Sequence, residues 1–202
     1  MSKKGWVITG VVCAAVFGAW GWNEYSYYKT APYLVLRKIE TSYPKGAFTA
    51  SYKVESMGKT WSMRIESDGQ GHVRQQENDP DQRAEQIALF DFPAKKIYWL
   101  QTQDKVAVEH PMDGSGLGYA DENMFTYDGK KLGSKTIAGE ASHGWKRELA
   151  GQPMQSWFSD RIGCLVECDV FGKHVILQEL KPGAPPEQQF QVPAGYQVKP
   201  VS

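Results

Sequence analysis

The chain has 202 residues, with 23 Lys and Arg balanced by 23 Asp and Glu, so its formal net charge is zero. There is no basic excess of the kind that marks nucleic-acid-binding proteins, and no acidic excess for a polycationic partner. Aromatic residues make up 12% of the chain, which is typical of β-strands, membrane interfaces or large apolar surfaces.

The N-terminal residues have the pattern of a membrane-spanning helix. Lys3 and Lys4 precede an uncharged run, residues 5–22, which would span about 27 Å as a helix, close to the hydrocarbon thickness of a bilayer. Aromatic residues lie at both ends of the run, as at membrane interfaces: Trp6, Trp20 and Trp22. We expect residues 1–29 to anchor the chain in the bacterial inner membrane with a cytoplasmic N-terminus, and residues 30–202 to form a periplasmic domain.

Two alternatives to a retained anchor are a cleaved signal peptide and a lipoprotein signal. No A-x-A cleavage pattern follows the apolar run. Cys13 is preceded by Val12, whereas a lipoprotein signal has a small residue at that position. The retained anchor is therefore the favoured interpretation.

Small residues recur every fourth position along this helix, at Gly10, Ala14 and Gly18. This spacing lets two helices approach closely in lipid. We expect the strip to pack against a membrane-protein partner or a second copy of the chain. The alternative is that it reflects only the ordinary Gly and Ala content of membrane helices.

Beyond the anchor, the chain changes from helical to strand periodicity. Residues 33–43 have an amphipathic helical pattern, whereas alternation with a period of two begins after Gly46. The sequence predicts strands at 48–55, 61–66, 71–76, 84–92, 95–101, 105–110, 135–138, 144–150, 153–160, 163–170, 174–180 and 189–192. Residues 111–133 lack periodicity and are predicted to form a loop or short helix. The fold class is therefore mainly β, a curved antiparallel sheet with a covering helix.

Two cysteines fall in the predicted β domain, Cys164 and Cys168. In a straight strand their Cα atoms would lie about 13 Å apart, too far for a disulfide bond. Three states of these cysteines remain possible: free thiols, a disulfide bond across a sharp bend, and a metal site. The pair alone supplies too few ligands for zinc.

Motifs of catalysis and cofactor binding are missing from the sequence. The four histidines have no metal-ligand spacing, and there is no G-x-S-x-G elbow. The glycine-rich segment 114–118 lacks the strand, helix and lysine of a phosphate-binding loop. We predict no enzymatic activity, no cofactor and no bound metal.

Three groups of segments, taken in order, resemble a known family. They are residues 46–52 with 73–74, residues 137–146 with 157–164, and the near-terminal segment 190–196. Together they resemble the periplasmic DUF4412 family, which is similar to the lipoprotein carriers LolA and LolB. The resemblance implies a half-open antiparallel β-barrel with helices over its concave face, which holds acyl chains in the carriers.

Two functions follow as hypotheses. The first is binding of a membrane lipid acyl chain, or an apolar segment, on a concave sheet lined by Phe48, Tyr52, Trp61, Met63, Trp99 and Trp145. The alternative is a structural subunit of a larger inner-membrane complex, for instance respiratory or photosynthetic, with the anchor helix packed on partner helices. No nucleic-acid partner is expected.

Overall fold

Strands dominate the computed structural model, which describes residues 43–80, 85–112, 120, 122, 125, 129–149 and 151–201. The predicted anchor with its strip at Gly10, Ala14 and Gly18 lies outside these residues, as does the predicted covering helix up to residue 42. Within the described ranges, no helix is long and apolar enough to cross a bilayer.

Twelve strands of the described chain form one open sheet. The strands are β1 (Ala47–Ser56), β2 (Lys59–Asp68), β3 (His72–Glu77), β4 (Gln86–Asp91), β5 (Lys96–Gln101), β6 (Val106–Pro111), β7 (Lys130–Ile137), β8 (Glu140–Leu149), β9 (Gln152–Ser159), β10 (Leu165–Val170), β11 (Lys173–Pro182) and β12 (Gln197–Pro200). Their order in the sheet is β12-β6-β5-β4-β3-β2-β1-β11-β10-β9-β8-β7, so the sheet is largely a meander in which sequence neighbours pair. The predicted mainly β class with a curved antiparallel sheet is confirmed.

Two-residue turns explain why neighbouring strands pair in a fixed register. Met57 and Gly58, between β1 and β2, both have positive φ angles, of 50° and 75°. Phe171 and Gly172, between β10 and β11, repeat this geometry with φ angles of 48° and 74°. Two positive φ angles in succession define the turn whose twist matches a hairpin.

Three details differ from the sequence predictions. The predicted strand at 189–192 is wrong, because a 3-10 helix occupies Glu187–Phe190, preceded by Pro186. The last strand is instead β12, which pairs in parallel with β6. Strand β7 begins inside the predicted loop; it is an exposed strand at the sheet edge, so no buried face imposes alternation on it.

The cross-strand register divides the sheet into two faces. The core face is the side on which Ala50 of β1 pairs with Ile65 of β2, and the outer face is the side on which Thr49 pairs with Glu66. Apolar side chains on the core face are almost completely buried. They include Phe48, Ala50, Tyr52, Val54, Met63, Ile65, Val73, Val175 and Leu177.

On the outer face, the C-terminal segment 187–196 covers part of strands β4 to β6. Four buried residues form an apolar cluster there, against which Tyr98, Val192 and Tyr196 pack: Ile87, Leu89, Leu100 and Ala107. Strand β4 is thus buried on both faces, and its four central residues are all buried. This explains why its sequence is continuously apolar rather than alternating.

Both described cysteines are free thiols buried in the core. Burial raises the pKa of Cys164 and that of Cys168 to about 12. The hydroxyl of Ser156 donates to the sulfur of Cys168 across 3.1 Å. Of the three possibilities that the sequence left open, the structure therefore shows free thiols.

Candidate functional site

The six residues predicted to bind an apolar ligand lie on the core face. Tyr52 pairs directly with Met63, and Trp61 pairs with Val54. The cross-strand pairs that link β5 to β4, β3 and β2 show that Trp99 lies on the same face. The pairs that link β8 to β9, β10 and β11 show the same for Trp145. Phe48 lies four residues before Tyr52 on the same strand. The six residues share a face, but β5 and β8, which hold Trp99 and Trp145, lie near opposite ends of the strand order.

Four of the six, however, form the filled core. Phe48 is 0% exposed, Met63 is 1% exposed and Tyr52 is 2% exposed. The Tyr52 hydroxyl donates to the carbonyl oxygen of Leu165 across 2.8 Å, which satisfies its polar atom inside the core. Trp145 is 9% exposed. These side chains define the shape of the core face but present little surface to a ligand.

Trp99 is the exception, because 43% of it is exposed to solvent. Its direct cross-strand neighbours on the core face are Ala88 and Val108, which are smaller and apolar. The core face therefore opens to solvent at β5, where an indole ring lies over small apolar neighbours. Such an exposed aromatic residue provides apolar surface that a ligand can cover.

Trp61 belongs to a charged cluster at one end of the core face. Its indole nitrogen donates to the carboxylate of Glu77 across 2.8 Å, and Lys173 donates to the same oxygen across 2.8 Å. The ammonium group of Lys173 also lies 5.3 Å from the centre of the Trp61 ring. Glu77 and Lys173 thus form a largely buried ion pair at that end of the core face.

A histidine held between two carboxylates is the strongest chemical feature that the sequence did not reveal. Nδ1 of His143 lies 2.6 Å from Asp160, and Nε2 lies 2.7 Å from Glu122. The indole nitrogen of Trp145 donates to the same Glu122 oxygen across 2.9 Å. Because the three acidic and basic groups come from separate parts of the chain, no local spacing could predict them.

The pKa of His143 reflects opposing effects. Burial lowers this pKa, but the hydrogen bonds to Asp160 and Glu122 and the charges of both carboxylates outweigh burial and raise it. Glu122 and Asp160 also line a cleft of about 540 Å³ together with Tyr43, Lys45 and Arg161. His143 can therefore hold a proton at the cleft. The hydroxyls of Ser142 and Ser159 both donate hydrogen bonds to Glu140.

Buried charge also occurs on the outer face. Glu66 is 0% exposed and accepts hydrogen bonds from Arg64 at 2.7 Å and Arg74 at 3.2 Å. The side-chain amide of Gln189 lies against the same carboxylate, at 2.5 and 2.7 Å from its two oxygens once its nitrogen is oriented toward them. The C-terminal segment is thereby tied to β2 and β3.

Another group of potential metal ligands lies on the outer face, at Glu167, Asp169 and His174. Lys135 donates to Glu167 across 2.6 Å, and His174 lies 2.8 Å from Asp169. One oxygen of each carboxylate and Nδ1 of His174 are therefore engaged in contacts within the protein, and exposed acidic groups commonly cluster in this way.

Comparison with known proteins concerns the fold. No protein-family model and no curated protein matches the chain. An uncharacterised conserved protein from Thermus thermophilus has a similar structure, with a TM-score of 0.56, 13% identity and coverage of 78% of this chain and 91% of that one. PNGF-II aligns with a TM-score of 0.55 and 10% identity, over 77% of this chain but 32% of its own.

A LolA superfamily protein from Nitrosomonas europaea is also among the structural neighbours. It aligns over 80% of this chain and 97% of its own, with 11% identity and a TM-score of 0.36. At this similarity the alignment carries no conclusion about the family or the ligand of this chain. Membership of the DUF4412 family stays a prediction.

Proposed function

We propose that this chain is a non-catalytic binding domain that holds the acyl chain of a membrane lipid, or an apolar segment, against the core face beside Trp99. The proposal includes the periplasmic location and the inner-membrane anchor, for which the support is the N-terminal sequence alone. The observation that carries it is the exposed indole of Trp99 beside Ala88 and Val108 on the core face.

The exposed surface of Trp99 sets the scale of the interaction. A tryptophan side chain has on the order of 250 Å² of surface, of which 43% is roughly 100 Å² here. Covering that area with a hydrocarbon chain would contribute about 2.5 kcal/mol at about 25 cal/mol per Å². One contact of this size makes Trp99 a principal anchor of the ligand, with Ala88 and Val108 below it.

Calorimetric titration with lysophosphatidylcholine, a zwitterionic single-chain lipid, tests the proposal. The Trp99→Ala variant should bind at least about 10-fold more weakly, because the main apolar contact is lost. Phe171→Ala is the matched control, since Phe171 is a 54% exposed aromatic residue at a hairpin tip. Equal affinities of the two variants would refute a site at Trp99.

A second candidate function, a structural subunit of an inner-membrane complex, has support from a different surface. Met57 is 95% exposed and Phe171 is 54% exposed. Their turns are neighbours, because Ser56, next to Met57, pairs with Lys173. Two exposed apolar side chains on adjacent turns form a surface suited to docking on a partner protein.

Copurification from native membranes in mild detergent tests this second function. A chain with both Met57→Ser and Phe171→Ser should lose a partner that the unmodified chain retains. Val198→Ser provides the control, because Val198 is 51% exposed and lies in β12. Identical recovery of partners by all three chains would contradict the subunit function.

A further inference from the structure

A cavity of about 330 Å³ lies on the outer face, between the sheet and the C-terminal segment. Its wall combines guanidinium and amide groups with apolar side chains. The polar part is formed by Arg64, Arg74, Gln188, Gln189 and Gln191, and the apolar part by Ile87, Leu89, Leu100, Pro193 and Tyr196. The cavity is thus amphipathic and is separate from the core face.

The polar part carries an excess of positive charge. Two guanidinium groups, those of Arg64 and Arg74, share the single carboxylate of Glu66. Other acidic groups at this face also have partners: Asp68 lies 2.6 Å from His72, Glu109 lies 3.0 Å from Lys96, and Glu187 of the C-terminal segment accepts a hydrogen bond from Gln191 across 3.3 Å. The cavity therefore favours an anion, and Arg64, with 47% of its side chain exposed, can reorient toward one.

The apolar part adjoins these cations directly. Arg74 pairs across the strands with Leu89, and Ile87 pairs with Leu100. Leu89 is 2% exposed, and Ile87 and Leu100 are each 7% exposed, so they form a dense floor that offers little surface of its own. The half-buried Tyr196 of the C-terminal segment packs against this floor and adds an accessible apolar wall to the cavity. A hydrocarbon chain whose acidic group contacts the guanidinium groups would lie against Tyr196, above the floor.

We propose that this cavity binds a small amphipathic acid, with the carboxylate of an acyl chain on Arg64 and Arg74 and its tail against Tyr196. A volume of about 330 Å³ is at the small end of ligand sites, which selects a short chain. The site does not depend on the function proposed for the core face, because the two lie on opposite faces of the sheet.

Titration of the full chain with sodium octanoate, followed by two-dimensional NMR, tests the site. Octanoate should bind saturably and shift the amide signals of Gln191 and Tyr196. Acetate, which has the acid without the tail, and octylammonium, which has the tail with the opposite charge, should bind at least about 10-fold more weakly. Equal binding of octylammonium, or octanoate shifts confined to Trp99, would overturn the proposal.

Substitutions separate a binding role of Arg64 from a structural one. Arg64→Gln keeps the contact between Arg74 and Glu66 and should weaken octanoate binding by about 5- to 10-fold. Lys53→Gln, which removes a surface cation of the same face, should change it less than about 2-fold. Tyr196→Ala removes an apolar wall without touching Glu66 and should also weaken binding. Unchanged affinity in both Arg64→Gln and Tyr196→Ala would contradict the assignment.

Discussion

Removing Arg74 should destabilise the domain more than removing the carboxylate that it contacts. In Arg74→Gln, the carboxylate of Glu66 stays buried, with 1% of its side chain exposed, and keeps only Arg64 as a cationic partner. The loss of one hydrogen bond between charged groups in this setting costs about 2–3 kcal/mol. For a domain of this size, that corresponds to a decrease in Tm of about 4–12 °C.

The reverse change, Glu66→Gln, should be milder, at about 1 kcal/mol. It leaves two guanidinium groups whose side chains are 47% and 18% exposed, so water can solvate the released charge. The variant with both substitutions should be more stable than the sum of the single effects implies, because no buried charge remains.

Urea unfolding followed by circular dichroism would measure these differences, with Lys53→Gln as a control for the loss of a surface cation. The m values should be equal among the variants, so that midpoints report stability. A Glu66→Gln variant less stable than Arg74→Gln, or strictly additive effects in the double variant, would show that the buried carboxylate is not the source of the cost.

Three further predictions concern the buried thiols, the histidine cluster and a close contact on the outer face. Since burial raises the pKa of Cys164 and Cys168 to about 12, both thiols should react with iodoacetamide at pH 8 only after unfolding, as mass spectrometry would show. Because the pKa of His143 is raised in the folded protein, protonated His143 stabilises the fold below about pH 6.5, and this contribution is lost as the pH rises through the folded-state pKa. The His143→Gln substitution should therefore lower Tm more at pH 5.5 than at pH 8.5. Gly144→Ala should cost about 1–3 kcal/mol in urea unfolding, because a Cβ atom there would lie 2.6 Å from the Trp157 ring.

The strands and their faces could largely be predicted from the sequence, because alternation specifies both. Phe48, Tyr52, Trp61 and Met63 were assigned to one face from their spacing, and the observed pairing of β1 with β2 places them there. What alternation does not reveal is whether a side chain on that face is covered. Phe48 and Trp99 share a face but are 0% and 43% exposed.

The parts that could not be predicted depend on contacts between distant segments. His143 meets Glu122 across 21 residues of sequence, and its position in a strand gives no sign of two carboxylate partners. Glu66 occupies an ordinary polar position of an alternating strand, yet it is buried because the C-terminal segment covers it. The parallel pairing of β12 with β6 likewise follows from where that segment packs rather than from its four residues.

Paramagnetic NMR would detect an apolar ligand beside Trp99 on the core face. The probe is a lysophosphatidylcholine that carries a nitroxide on its acyl chain, added to the full chain with 15N-labelled tryptophan indoles. We expect selective broadening of the Trp99 indole signal, with weaker effects on the signals of Trp157 and of the buried Trp145. Uniform broadening of all indole signals, or broadening that spares Trp99, would contradict it.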